Sequence, residues 1–209
     1  MTMKNSREIY RVHPSVAYAR KIIANLPDKT GRSLDDWSDL LRAEGPKEKK
    51  ERPAWLHSEY GLGRTTAWLI ASAAQGSSPE DYDDDRYLDM AVDYVENLYS
   101  GKKEHLRPIH EALLRAGYDL GDDVAASPCT TMVPLYKNRV IAQIKPTTLT
   151  RIDLGLALKD CDEAYSDRLV DTGGLRKGDW ITHRIPISSV EEIDDEVKYW
   201  LNVAYELDN

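Results

Sequence analysis

Phenylalanine is missing from this 209-residue chain, whereas tyrosine occurs 12 times and tryptophan five. Aromatic burial must therefore use rings that carry a donor, and each donor taken inside needs an acceptor. Cysteine is nearly as scarce. Cys129 and Cys161 lie far apart with no second ligand pair nearby, which argues against a zinc cluster and a secreted disulfide framework and for two reduced thiols. No apolar run approaches membrane-spanning length, and the N-terminus, with Lys4, Arg7 and Glu8, lacks the apolar core of a signal peptide. The expectation is a soluble cytoplasmic protein with no membrane partner.

An excess of positive charge is missing too. The net charge of −8 argues against non-specific polyanion binding over the whole surface and leaves room for a local basic patch. Between Pro79 and Asn97 the acids Glu80, Asp81, Asp83, Asp84, Asp85, Asp89, Asp93 and Glu96 face one base, Arg86. That stretch reads as a linker running into an acidic helix.

What the chain does contain is strand period from Cys129 to Ile187. Val140, Ala142 and Ile144 alternate with Ile141, Gln143 and Lys145, and Ile152, Leu154, Leu156 and Leu158 alternate with Arg151, Asp153, Gly155 and Ala157. Ile181, His183, Ile185 and Ile187 then oppose Thr182 and Arg184. These runs predict a sheet with one apolar face. Pro134 suggests an edge or a bulge for the strand 131–137, and Lys137-Asn138-Arg139 reads as a tight hairpin turn. A loop holding Gly173-Gly174 and Gly178 precedes the last strand, and a capping box from Ser189 to Glu192 is expected to open a final helix.

Before the sheet, helical spacing dominates. Helices are expected from about Ser15 to Asn25, closed by Leu26-Pro27; from a Ser33 cap through Leu41; from about Arg52 to Tyr60; from Arg64 to Gln75; from Asp85 to Tyr99; and from near Pro108 to Ala116. The Gly76-Ser77-Ser78-Pro79 break gives the expected division: a helical domain at 1–78, an acidic linker helix at 79–101, and an α+β domain at 102–209. The fold class is α+β, an N-terminal helical domain followed by an antiparallel sheet flanked by helices.

On the polar side of that sheet the pattern gathers Gln143, Lys145, Arg151, Asp153, Thr182 and Arg184. Arginines fork carboxylates and phosphates, and an aspartate beside them orients the fork, so this face is a candidate anion-binding surface. A solvated face laced by ion pairs is the plainer account of the same residues. His183 falls on the apolar parity, as a buried histidine bonded to backbone or to a tyrosine would. Asp194 to Lys198 is a favourable helical pair on an outer face. Cys161 sits near Lys159 and Arg168 in sequence, without a paired histidine. His105 and His110, five apart, lack the spacing of a metal pair, so no metal is expected. No cofactor motif is visible.

Gly61-Leu62-Gly63 between two helices resembles a helix-hairpin-helix, whose second helix can hold a phosphate on its first amides. With Lys49, Lys50 and Arg64 it offers a nucleic-acid site built on Gly61 and Gly63. An ordinary helical turn accounts for the glycines as well.

Two sets of motifs carry a resemblance. Thr30-Gly31-Arg32-Ser33-Leu34 through Trp37, followed by Trp55-Leu56 and Gly61-Leu62-Gly63, resembles a small helical bacterial family catalogued as a domain of unknown function. Leu106-Arg107-Pro108-Ile109, Arg151 through Leu156, Asp171-Thr172-Gly173-Gly174 and Ile181-Thr182-His183-Arg184 resemble a second such family, often found downstream of the first. The resemblance implies an architecture, a helical unit before an α+β unit, and no activity. Three readings stand. The leading one is a non-enzymatic binding protein that takes a small anionic ligand or a protein partner on the polar sheet face. A second is a nucleic-acid-associated accessory protein. A third is a small hydrolase or transferase centred on Asp153, Arg184 and the Cys161 loop.

Overall fold

A computed structural model describes residues 6–76, 79–162 and 165–208. The described residues fall into two compact units, one within 12–88 and one formed by 6–11 with 89–208. The predicted break at 77–78 lies outside the described residues. The division by contacts falls within one helix, between Leu88 and Asp89.

The helical unit begins with α1 (Pro14–Ala24), capped by His13, whose Nδ1 accepts from the Ser15 amide. α1 ends just before Leu26-Pro27, as expected, and a second helix follows at once. Proline suits a first helical turn because its missing N–H would be unbonded there, and α2 (Leu26–Thr30) starts on it. Gly31, in the left-handed region at φ 74°, closes that turn. In α3 (Leu34–Glu44) the Ser33 cap and the Asp36 carboxylate satisfy each other's amides, as the spacing predicts. Then come α4 (Arg52–Tyr60), with Pro53 in its first turn, and α5 (Arg64–Ala74). Trp37, Leu41, Leu56, Ala67 and Ile70 make the shared core. The acidic helix α6 (Asp84–Leu98) follows.

The second unit takes in α6 from Asp89 onward and continues with α7 (Arg107–Tyr118). Its strands are β1 (Ala125–Ala126), β2 (Val133–Tyr136), β3 (Val140–Lys145), β4 (Ile152–Leu156), β5 (Val170–Asp171) and β6 (His183–Ile187), with the short α8 (Gly174–Lys177) before β6 and α9 (Asp195–Glu206) after it. All paired strands are antiparallel, in the order β1-β2-β3-β4-β6-β5. The protein is thus α+β. The predicted parity holds at the sheet centre: Ala142, Ile144, Leu154, Leu156, Ile185 and Ile187 are buried, and α7 and α9 pack on β3. Pro134 lies in the strand second from the edge, and the register shifts between Leu135 and Tyr136. The N-terminal segment joins the edge, with Tyr10 bridging Ala126 in parallel.

Two features differ from expectation. Ser189 makes no cap bond, because Glu192 accepts from the Ser188 amide instead; α9 is opened by Asp194, whose Oδ1 accepts from the Val197 amide at 3.1 Å. Asp194 is therefore a cap and a partner of Arg168 at 2.7 Å, while Lys198 approaches Asp195 at 3.9 Å. At the far end, Asp208 accepts from the Asn138 and Arg139 amides and from Arg139 Nε at 2.7–2.8 Å. Burial alone would raise its carboxyl pKa; these donors and the guanidinium charge outweigh it and hold the pKa below the usual carboxylate range.

Candidate functional site

The polar face of the sheet is not open along its length. Gly155 lies at its centre, between Gln143 on β3 and Arg184 on β6, and Ile181 packs onto it. A Cβ at Gly155 would sit 2.8 Å from Ile181 Cγ2, and one at Gly174 would collide with the Ile181 carbonyl oxygen. Both glycines are thus required by close approach rather than by backbone angle. The Asp171-Thr172-Gly173-Gly174 turn secures this cover. Asp171 Oδ1 accepts from the Gly173 amide at 2.6 Å and Thr172 Oγ1 from the Gly174 amide at 3.1 Å. The Thr172 hydroxyl also lies 2.9 Å from the Ile181 and Thr182 carbonyl oxygens.

The cover leaves a cleft of about 230 Å³ lined by Gln143, Lys145, Asp153, Lys177, Asp179 and Arg184, with Thr147 and Thr172 at its wall. Strand register dictates much of this, since Lys145 is paired with Asp153 and Gln143 with Gly155. Asp153 is only 6% exposed, yet it does not enter the apolar layer. Arg151 Nε lies 2.9 Å from its Oδ1 and Arg184 Nη1 lies 2.9 Å from its Oδ2. These are ion-pair contacts without aligned hydrogen bonds: Arg151 Nε, Arg184 Nη1 and Asp153 Oδ1 are shut off from solvent with none. Among the described residues, Lys145 and Lys177 make no ion pair.

Of the six sheet-face candidates, the structure brings Gln143, Lys145, Asp153 and Arg184 to the cleft, and Arg151 stands behind them on Asp153. Thr182 is a correction. It is 2% exposed, its Oγ1 accepts from the Leu158 amide at 3.3 Å and contacts His183 Nδ1 at 3.0 Å, and so it belongs to the interior. His183 is half-buried, with the Tyr165 ring centroid at 4.1 Å. Burial lowers its pKa, opposed by the nearby Asp171 charge. In the sequence Lys177 stands out only beside Gly173-Gly174, without the spacing of a phosphate loop, and Asp179 not at all; a short glycine-bounded helix of four residues gives no periodicity to read. Arg168 is engaged by Asp194 and Glu196 rather than by Cys161. Among the described residues, no group of three or more His, Cys, Asp or Glu is placed to hold a metal ion, and no helix is long and apolar enough to cross a membrane.

In the helical unit, Gly61 caps α4 at φ 66° and Gly63 precedes α5 without any side-chain cap. Gly61, Gly63 and Arg64 line a groove there; Lys49 and Lys50 lie on a separate 3-10 turn and do not.

The chain belongs to the family described as Domain of unknown function (DUF5655), whose model matches residues 95–208. Residues 19–76 match a second model, Domain of unknown function (DUF4287), so the two families follow one another as the motifs suggest. No curated protein and no solved structure matches the chain.

Proposed function

We propose that the protein is a non-enzymatic binding protein whose sheet cleft takes a small anion bearing a carboxylate or a phosphate. One observation carries this reading: Asp153, buried between two arginines in contact without aligned hydrogen bonds, stands beside the unpaired Lys145 and Lys177. Asp153 takes up the charge of the two arginines from within, so the lysines are the cations left over, and an acceptor from outside is what they can pair with. In this account Asp153 steers the arginines and the lysines supply the unspent charge. The cleft's hydroxyls do not favour catalysis, since the Thr172 hydroxyl already faces two carbonyl oxygens and Cys161 is not in the lining. The same reading places the protein in the cytoplasm, in keeping with its two free thiols, and a bacterial source rests on the motif resemblance alone.

Calorimetric titration of the full chain with inorganic phosphate and with a short dicarboxylate tests it. Saturable binding of at least one is expected, weakened about tenfold or more by Lys145→Ala, since a charge-assisted bond contributes about 1.5–3 kcal/mol. Affinity unchanged from the parent chain in both Lys145→Ala and Lys177→Ala, or no saturable heat with either anion, would reject the cleft as an anion site.

A further inference from the structure

The helical unit carries a larger concavity, of about 1020 Å³, formed by the end of α1, by α2, by Arg32 and Trp37, and by the turn from Tyr60 into α5. Its charged lining residues are Lys21, Lys29, Arg32 and Arg64, with no acid among them. In a chain of net charge −8 that is a local reversal of sign.

The cations are not neutralised from within. Among the described residues, Lys21, Lys29, Arg32 and Arg64 make no direct ion pair. The nearest influence on Arg32 is Asp36, whose carboxylate is engaged by the Ser33 amide and hydroxyl. Arg32 is also oriented: its Cζ lies 4.9 Å from the Trp37 ring centroid and 5.7 Å from that of Tyr60. Trp37 is itself fixed, with Nε1 donating to Thr30 Oγ1 at 2.9 Å and its ring edge-on to Tyr60 at 5.0 Å. Stacking occupies the face of the guanidinium and leaves its N–H edge for an acceptor. Across the groove Tyr18 is 61% exposed, an aromatic face that the fold does not use. Arg64, Thr65 and Thr66, the first residues of α5, line the same groove, and that helix has no side-chain cap.

We propose that this groove binds a segment of single-stranded nucleic acid, with backbone phosphates on Lys21, Lys29, Arg32 and Arg64 and a base stacked on Tyr18. The combination of a cationic track and an open aromatic ring favours a ligand that repeats phosphates and carries planar bases. A phosphorylated peptide would satisfy the charges and leave Tyr18 without a role. This site is independent of the sheet cleft, since the two share no residue.

Fluorescence anisotropy of the full chain with labelled oligothymidylate and oligoadenylate, at a series of salt concentrations, tests the assignment. Four phosphate contacts predict a slope of log affinity against log salt of about −2.8, and the Lys21→Ala/Lys29→Ala pair should reduce it by about 1.4. Tyr18→Ala should weaken binding about tenfold without changing that slope. Lys49→Ala/Lys50→Ala, outside the groove, and Lys145→Ala, in the sheet cleft, should leave affinity unchanged. All these side chains but Arg32 are on exposed residues, and an unaltered far-UV spectrum checks that the variants are folded. No retention at the lowest salt, equal losses from the Lys49/Lys50 and Lys21/Lys29 pairs, or binding of a phosphopeptide in place of the oligonucleotides would overturn the proposal.

Discussion

The sheet cleft and the helical groove both concentrate positive charge, but they hold it in different ways. In the cleft the arginines are committed to Asp153, so removing one member exposes the others to an uncompensated field. In the groove each cation stands on its own stem without a direct ion pair among the described residues, and only Arg32 is oriented by neighbouring rings. The lesson is that a site woven into a strand ladder is also part of the fold's stability, whereas one laid along helix ends is nearly free to vary. Perturbations that separate stability from binding therefore distinguish the two regions.

Acid should separate the two units most strongly. His110 on α7 is 1% exposed, its ring nitrogens have no hydrogen-bond partner, and the Tyr99 ring lies 4.6 Å away. Burial, helped by the Arg107 charge, pushes its pKa down to about 3. The unfolded chain takes up this proton below about pH 6.5 and the folded one resists it until about pH 3. Stability from this group is thus complete above pH 6.5 and lost as pH falls toward 3, at about 1.4 kcal/mol per pH unit and on the order of 5 kcal/mol in all. Amide hydrogen exchange should show α7 and the sheet losing protection in that window ahead of α3 and α5. His110→Leu should flatten the dependence, and an unchanged pH profile in that variant would assign the effect elsewhere.

The next largest effect is expected from Asp153→Ala. The arginine side chains are about one-third exposed, at 33% and 31%, so solvent screens part of the loss. A cost of about 2 kcal/mol follows, below the roughly 3–5 kcal/mol for breaking a fully buried pair. Chemical denaturation followed by far-UV circular dichroism measures it. A loss no larger than that of an exposed lysine would mean that the cleft is not coupled to the ladder.

How far these regions could be read from sequence follows from the same contrast. Strand parity put Gln143, Lys145 and Asp153 on one face because alternation is a local property, and the Ser33–Asp36 cap was legible for the same reason. Ile181 lying over Gly155 was not, since nothing local says that a loop will fold back across its own sheet. Ser189 and Asp194 both offer a cap signature; the choice between them was made by Glu192 turning to the Ser188 amide and Arg168 reaching Asp194. In the helical unit the glycine hinge drew attention to Lys49 and Lys50 nearby in sequence. The cations that share its groove, Lys21, Lys29 and Arg32, come from α1, α2 and the turn before α3, and only tertiary packing brings them there.

The smallest expected effect is the sharpest test of the contrast. Lys21→Ala and Lys29→Ala remove charges from exposed positions that have no ion-pair partner among the described residues. Surface changes of that kind shift stability by no more than about 0.5 kcal/mol in either direction, and relief of repulsion among four like charges gives the change a stabilising sign. Thermal unfolding of the double variant should therefore match the parent or rise slightly, while Asp153→Ala falls by several degrees. A marked destabilisation of the lysine variant would show that the groove, like the cleft, is built into the packing of its unit, and the distinction between an interlocked site and an open one would fail.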